Sequence, residues 1–248
     1  MAGNRTWVYG IALGGLVAVL MAPTSVMGAK SPTTPLDPAL CAPDQTFSIT
    51  IDNPYFPLPV GQQWVYTGKE QGEQTGLQIT VLNELEALYR GRNAVTTRVV
   101  EEVEWLDANA NGVIDPGEDL LEVSRNYFAQ TQDGTVCYFG EAVDIYENGV
   151  VVSHEGAWRA DEPGNAPGIY MPAEPQPSMT FQQELAPGVA EDTATIVRIG
   201  SRVTVPAGTF TDTITVRDFN PLDGSKGTKV YARDIGLVID GPLELVSY

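Results

Sequence analysis

Residues 193–217 read TATIVRIGSRVTVPAGTFTDTITVR. Threonine, valine and isoleucine dominate both halves of this stretch, and β-branched side chains suit the pleated surface of a strand. Between the halves, residues 205–210 contain the proline and glycine that are typical of a turn. The stretch therefore predicts two long antiparallel strands that follow each other directly.

The same pattern recurs on both sides of this hairpin. Further strands are predicted at residues 47–51, 63–68, 77–85, 93–106, 120–129, 136–139, 144–146, 150–152, 179–184, 228–232, 236–239 and 243–246, with a hairpin turn at Asn148 and Gly149. Eighteen prolines and 25 glycines disfavour long helices. The sequence thus predicts an all-β fold, with an antiparallel sheet of about a dozen strands curled into a barrel, a half-barrel or a sandwich.

Residues 155–178 interrupt this regular succession of strands. The segment holds five prolines and three glycines, and few of its apolar residues alternate. It predicts a long irregular connection, which serves either as a functional loop or as a plain covering of a sheet edge.

The N-terminus has the features of an export signal. Arg5 is followed by an apolar stretch over residues 7–23 and then by small residues. This order predicts a signal peptide over residues 1–29, with a retained membrane anchor as the alternative. An extended lead-in at 30–46 and a single β domain at 47–248 would follow. We expect an extracytoplasmic protein with no stable membrane insertion after cleavage.

The chain contains two cysteines, Cys41 and Cys137. In an oxidising compartment such a pair usually forms a disulfide. We therefore expect a Cys41–Cys137 disulfide that fastens the N-terminal segment. Two free thiols or a soft metal site are the alternatives.

The formal net charge of the chain is −18. A surface of this sign repels nucleic acid and attracts cations or basic partners, so we expect no nucleic-acid partner. A merely soluble acidic surface is the simpler interpretation.

Residues 107–118 read DANANGVIDPGE, and this stretch resembles the calcium loop of EF-hands. The predicted Ca²⁺ ligands are Asp107, Asn109, Asn111, the carbonyl of Val113, Asp115 and Glu118. Gly112 falls at the sharp turn of the loop. Pro116 and Gly117 disfavour a following helix, so we expect the loop to join two strands. The alternative is a hairpin turn centred on Asn111 and Gly112.

The sequence contains no recognisable catalytic motif. A single histidine, His154, excludes a two-histidine zinc site. No nucleophile elbow, phosphate-binding glycine loop or Cys-x-x-Cys pair occurs. We therefore expect a protein that is not an enzyme.

Clustered carboxylates leave weaker hypotheses open. Two of them could support glycoside hydrolysis, with Glu141 and Asp144 or Glu184 and its neighbours as candidates. A second cation site is predicted from Glu141, Glu184, Glu191 and Asp192. A copper site with soft ligands would use His154, Met171 and Met179.

Several phrases are similar to those of an uncharacterised family of secreted bacterial all-β proteins. The phrases are DGTV followed by YFGE at 133–141, PGIYMP at 167–172, QE with PGVAED at 183–192, VPAGTF at 205–210, YA at 231–232 and IGLV at 235–238. The resemblance spans roughly residues 55–245 and implies no assigned activity. Similar sequences favour tryptophan at the position of Cys137, and this departure supports pairing with Cys41.

The leading functional hypothesis is a secreted protein of unknown role and unknown partners that binds a structural Ca²⁺. The runner-up is a carrier or binding module that encloses a small apolar ligand, with residues 155–178 as its lid. A carboxylate-based hydrolase is the third hypothesis.

Overall fold

A computed structural model of the chain describes residues 34–89 and 93–248. The predicted signal peptide at 1–29 lies outside these residues. Strands make up 61% of the structure. In the described part of the chain, no helix is long and apolar enough to cross a membrane. The prediction of an all-β fold is confirmed.

The chain forms nineteen strands and one short 3-10 turn at Pro38–Cys41 within the described ranges. The strands are β1 (Thr34–Pro35), β2 (Phe47–Ser48), β3 (Asp52–Asn53), β4 (Phe56–Pro57), β5 (Gln63–Glu70), β6 (Glu73–Leu88), β7 (Val95–Leu106), β8 (Leu120–Thr131), β9 (Val136–Glu147), β10 (Val150–Ser153), β11 (Trp158–Arg159), β12 (Ala166–Met171), β13 (Met179–Gln182), β14 (Glu184–Leu185), β15 (Thr193–Val205), β16 (Gly208–Phe219), β17 (Lys226–Ala232), β18 (Gly236–Asp240) and β19 (Leu243–Ser247).

The main sheet consists of two antiparallel meanders. Strands β5 to β9 form the first meander and β15 to β19 the second, and β19 pairs with β5 to join them. On the other side, β9 pairs with β12, β12 with β14, and β13 with β15. The result is a 13-strand antiparallel sheet that is nearly closed into a barrel. Strands β3 and β4 form a small second sheet.

The segment 155–178 differs from its prediction as an irregular connection. It contains β11 and β12, and β12 is part of the barrel wall, where Ile169 and Met171 are fully buried. Gly168 explains the position of β12, because a Cβ at Gly168 would lie 2.0 Å from the carbonyl oxygen of Gln183. The strand was not predicted because it has only six residues and lies in a segment rich in proline.

Aromatic side chains fill one end of the barrel. The β3–β4 hairpin inserts Phe56 into the interior, with its ring 4.6 Å from that of Tyr170 and 5.2 Å from that of Phe128. Tyr138 stacks on Phe128 at 4.9 Å, and Tyr231 lies 6.2 Å from Phe56. Burial of such rings is the main favourable term of the core.

The N-terminal segment lies against the outside of this end. The predicted disulfide between Cys41 and Cys137 is present, and both residues are fully buried. Next to it, Phe47 packs edge-on against Phe139 of β9, with the ring centroids 5.2 Å apart. The disulfide therefore fastens the lead-in to the barrel wall.

We expect the double variant Cys41→Ser, Cys137→Ser to lose stability. The disulfide spans 96 residues, and a link of this length restricts the unfolded chain by up to about 4–5 kcal/mol. A fall of about 2–5 kcal/mol in the free energy of unfolding should appear in urea denaturation. Unchanged unfolding of the variant would contradict a stabilising role for the disulfide.

Candidate functional site

The loop 107–118 lies on the outer face of the barrel and joins β7 to β8. Asp107 is fully buried, and its two carboxylate oxygens each accept a hydrogen bond at 3.0 Å, from the backbone N–H groups of Asn111 and Gly112. Gly112 has a φ of +70°, and its Cα faces β5, where an added Cβ would lie 3.3 Å from Val65 and Thr67. The loop is therefore packed against the wall.

The remaining predicted ligands turn toward one another inside the loop. One oxygen of Asp115 accepts from the side-chain amides of Asn109 at 2.7 Å and Asn111 at 2.8 Å. The two oxygens of Glu118 accept, each at 2.9 Å, from the backbone N–H groups of Ala108 and Asp115. Hydrogen bonds thus connect all five predicted side-chain ligands in one network.

This donor set fits a hard cation such as Ca²⁺, which prefers oxygen ligands. The amide oxygens of Asn109 and Asn111 each accept one backbone N–H. Each has a second lone pair that remains available for an ion. The side-chain N–H groups of Asn109 and Asn111 carry partial positive charge and donate to the Asp115 carboxylate. A bound cation would contact the same carboxylate. Within the described ranges, no group of three or more His, Cys, Asp or Glu side chains has the geometry of a metal site.

A second group of polar residues lies inside the barrel, directly beside the aromatic core, and its acids interact with Tyr138, Tyr170 and Tyr231 of that core. Nine carboxyl side chains face this space, which we call the acidic cavity. They are Glu70, Glu102, Glu104, Glu122, Glu141, Glu184, Asp192, Asp218 and Asp240.

Strand register brings these carboxyl groups together. Residues 100, 102 and 104 of β7 share the face of buried Leu77 and Ile79 of β6, so Glu102 and Glu104 point inward. On the next strand, Glu122 lies directly opposite Glu104. Like charges in directly opposed positions destabilise a sheet, so this arrangement is costly unless the charges are neutralised.

The acidic cavity opens between β8, β9 and the loops that follow β10, β14 and β16. Its mouth is a half-open recess with a cavity volume of about 60 Å³. The mouth is lined by Glu122, Glu141, Val143, Glu155, Gly156, Glu184, Val189, Ala190, Asp192 and Asn220. Three residues of the predicted second cation site, Glu141, Glu184 and Asp192, therefore lie in one cavity.

Two other acids that were predicted to take part in a site, Glu191 and Asp144, do not line this cavity. Glu191 accepts a hydrogen bond from the backbone N–H of Gly188 at 2.8 Å and does not line the cavity mouth. Asp144 pairs with His154 at 2.9 Å on the surface, where the His154 side chain is 70% exposed.

The proposed copper ligands lie at different ends of β9. His154 contacts Val143, whereas Met171 pairs with Val136. Seven residues of strand separate these two contacts on the order of 20 Å. His154 and Met171 therefore do not share a site.

Burial strongly perturbs the acids of the cavity. Desolvation raises the pKa of Glu102 to about 7, against the attraction of Lys229, and it raises the pKa of Glu122 to about 7. Desolvation, together with the charge of Asp192, raises the pKa of Glu184 to about 8. The same cause raises the pKa of Asp218 to about 6. At neutral pH the cavity therefore holds several protonated carboxyl groups.

Lys229 is the one cation that acts on these acids among the described residues. Its amine lies 3.7 Å from a carboxylate oxygen of Asp240. Burial lowers the pKa of the Lys229 amine, but Asp240 and the other acids around it outweigh burial and hold that pKa well above its ordinary value. Lys229 consequently stays charged among the buried acids that surround it.

We predict that stability falls as pH rises from 5 to 8. The folded-state pKa values of Glu102, Glu122, Glu184 and Asp218 lie above their ordinary values. In this range the folded state therefore binds more protons than the unfolded state, and the stabilisation is lost as pH passes through about 6–8. Urea denaturation with chelator at each pH measures the effect.

The variant Glu184→Gln should make this pH dependence shallower. A matched control is Glu244→Gln, because Glu244 is an exposed residue of β19. The control should keep the wild-type slope. Stability that is constant or rises between pH 5 and 8 would contradict the assignment of these acids to the interior.

We also predict that Lys229→Met is far more harmful at pH 8 than at pH 5. Removing one partner of a buried ion pair leaves the remaining charge uncompensated, at about 3–5 kcal/mol. At pH 5 most of the neighbouring acids are protonated, so the loss should be smaller. Denaturation at both pH values tests this, with the exposed Lys69→Met as the control. Equal losses at the two pH values would be the contrary result.

Comparison with known proteins gives no relative from which a role could be transferred. No known protein family, no curated protein and no solved structure matches the chain. Function is therefore inferred below from the residues of the loop and of the cavity.

Proposed function

We propose that this chain is an extracytoplasmic β-barrel protein that binds Ca²⁺ at the loop 107–118 as a structural ion. The ligands would be Asp107, Asn109, Asn111, the carbonyl of Val113, Asp115 and Glu118. The observation that supports this proposal is the shared hydrogen-bond network of the five side chains.

A structural role suits the position of the loop. Three carboxylates, Asp107, Asp115 and Glu118, occur within twelve residues, and a divalent ion would offset their mutual repulsion. Both flanks are long strands fixed in the barrel wall, without the helix pair that opens in calcium sensors. Binding of Ca²⁺ would therefore stabilise the loop and the adjoining wall.

The expected affinity is modest. A single loop with three carboxylates resembles extracellular calcium modules, for which Kd values of about 10⁻⁴–10⁻³ M are typical. The disulfide suggests an oxidising compartment outside the cytoplasm.

A binding module is the second candidate function, and the acidic cavity favours it. The sequence suggested an apolar ligand, but several carboxyl groups line the cavity mouth. Such a lining suits a charged occupant better than an apolar one. Carboxylate-based hydrolysis, with Glu141 and Glu184 in that mouth, stays the third hypothesis.

We expect Ca²⁺ to raise the thermal midpoint of unfolding and chelator to lower it. At a Ca²⁺ concentration of about 100 Kd, binding to the folded state alone stabilises it by about 2.7 kcal/mol. Glu118→Gln should abolish the shift, because Glu118 is predicted to bind the ion through both oxygens.

The matched control is Asp119→Asn, which changes an exposed carboxylate one position further along the chain. It should keep the full calcium-dependent shift. Identical melting of the wild type in excess Ca²⁺ and in chelator would show that the loop is only a turn.

A further inference from the structure

The mouth of the acidic cavity is a formed recess within rigid elements. Four of its carboxyl groups come from β8, β9, β14 and the residue that precedes β15, and Glu155 comes from the loop after β10. Glu122 and Glu141 are partly exposed although desolvation is the main cause of their raised pKa values. This combination is expected of side chains that face an enclosed space wide enough for solvent or a ligand.

Unpaired buried oxygens provide a second, independent observation. Asp192 lines the mouth and is only 9% exposed, yet one of its carboxylate oxygens has no hydrogen-bond partner among the described residues. Both oxygens of Asp218, which is 6% exposed, are unpaired in the same way. Buried polar atoms nearly always have partners, so these oxygens indicate a missing donor.

The charge balance shows which kind of donor is missing. Glu141, Glu184 and Asp192 meet in the mouth, while the only opposing cation of the described residues, Lys229, lies deeper and already pairs with Asp240. A neutral donor would satisfy the free oxygens but would leave every ionised acid of the cluster uncompensated. A cationic donor would both satisfy the free oxygens and neutralise the cluster.

The arrangement of the carboxyl groups and the lining of the mouth indicate which kind of cation would fit the acidic cavity. No group of three acids within the described residues converges closely enough to ligate a bare metal ion. The mouth is a half-open recess with a cavity volume of about 60 Å³, and Val143, Val189 and Ala190 give it an apolar side. An organic cation with N–H donors on a short carbon frame matches both features.

We propose that the acidic cavity binds a small organic cation, carrying ammonium or guanidinium groups, through Glu141, Glu184 and Asp192. The barrel would then be a binding protein for amines, independently of calcium at the outer loop. Occupation requires these acids to ionise, so binding releases protons near neutral pH.

The test is isothermal titration of the full chain with putrescine, agmatine and spermidine at pH 7.5. Chelator is present to exclude the outer loop, and ionic strength is held constant. At least one amine should bind at a single saturable site. Two buffers of different ionisation enthalpy should reveal the proton release.

The variants Glu184→Gln and Asp192→Asn should each weaken binding by at least about tenfold, because each removes a charge-assisted hydrogen bond. Glu244→Gln on β19 should leave it unchanged. Both cavity variants keep the side-chain shape and remove a repulsive charge, and a thermal melt verifies that they fold.

Three outcomes would overturn the proposal. The first is no heat of binding with any of the three amines. The second is weakening of equal size in Glu244→Gln, which would mean general attraction to an acidic surface. The third, measured without chelator in Glu118→Gln, is binding of Ca²⁺ or Mg²⁺ that Glu184→Gln removes, which would make the cavity a metal site.

Discussion

The register of β7 determines both candidate sites. Successive side chains of a strand point to opposite faces, so Glu104 faces the cavity while Trp105 faces outward. Trp105 is fully buried against Gly76, where a Cβ would lie 2.3 Å from the indole ring. A shift of one residue would place the indole among the acids and the carboxylate outside. The contact between Trp105 and Gly76 therefore fixes the strand that ends in the calcium-like loop.

The interior contains an aromatic core that stabilises the fold and a cluster of buried acids that destabilises it. Phe56, Phe128, Tyr138, Tyr170 and Tyr231 form a dense aromatic core. Beyond it the same strands carry acids that would be apolar in a barrel selected for stability alone. Burying an ionised carboxyl group is costly, and the raised pKa values show that these groups take up protons instead. The aromatic core and the disulfide offset this cost.

Local patterns were sufficient to predict the fold class, most strands, the disulfide and the connection of two strands by the loop. They failed where a residue breaks the usual relation between polarity and burial. The strand at residues 93–106 was predicted, but not that Glu102 and Glu104 face inward, because charged residues normally face solvent. β12 was missed because it is short and contains Pro167 and Gly168, residue types that are typical of turns. Membership of the acidic cavity depends on pairing between distant strands, which no local pattern shows.

The two sites differ in which groups compensate their negative charge. This difference explains why the sequence pointed to the loop and the structure to the acidic cavity. In the outer loop, the carboxylates of Asp107, Asp115 and Glu118 are satisfied by nearby N–H groups, so the motif is complete within twelve residues. Inside the barrel, strand pairing uses most backbone N–H groups, so few of them serve the acids. Glu184 accepts a hydrogen bond from the backbone of Asp192, and Glu141 accepts one from Tyr138. The cavity acids therefore depend on Lys229, on protons or on a ligand. A local motif such as the loop can be recognised in the sequence, whereas a cluster of acids from separate strands becomes visible only in the fold.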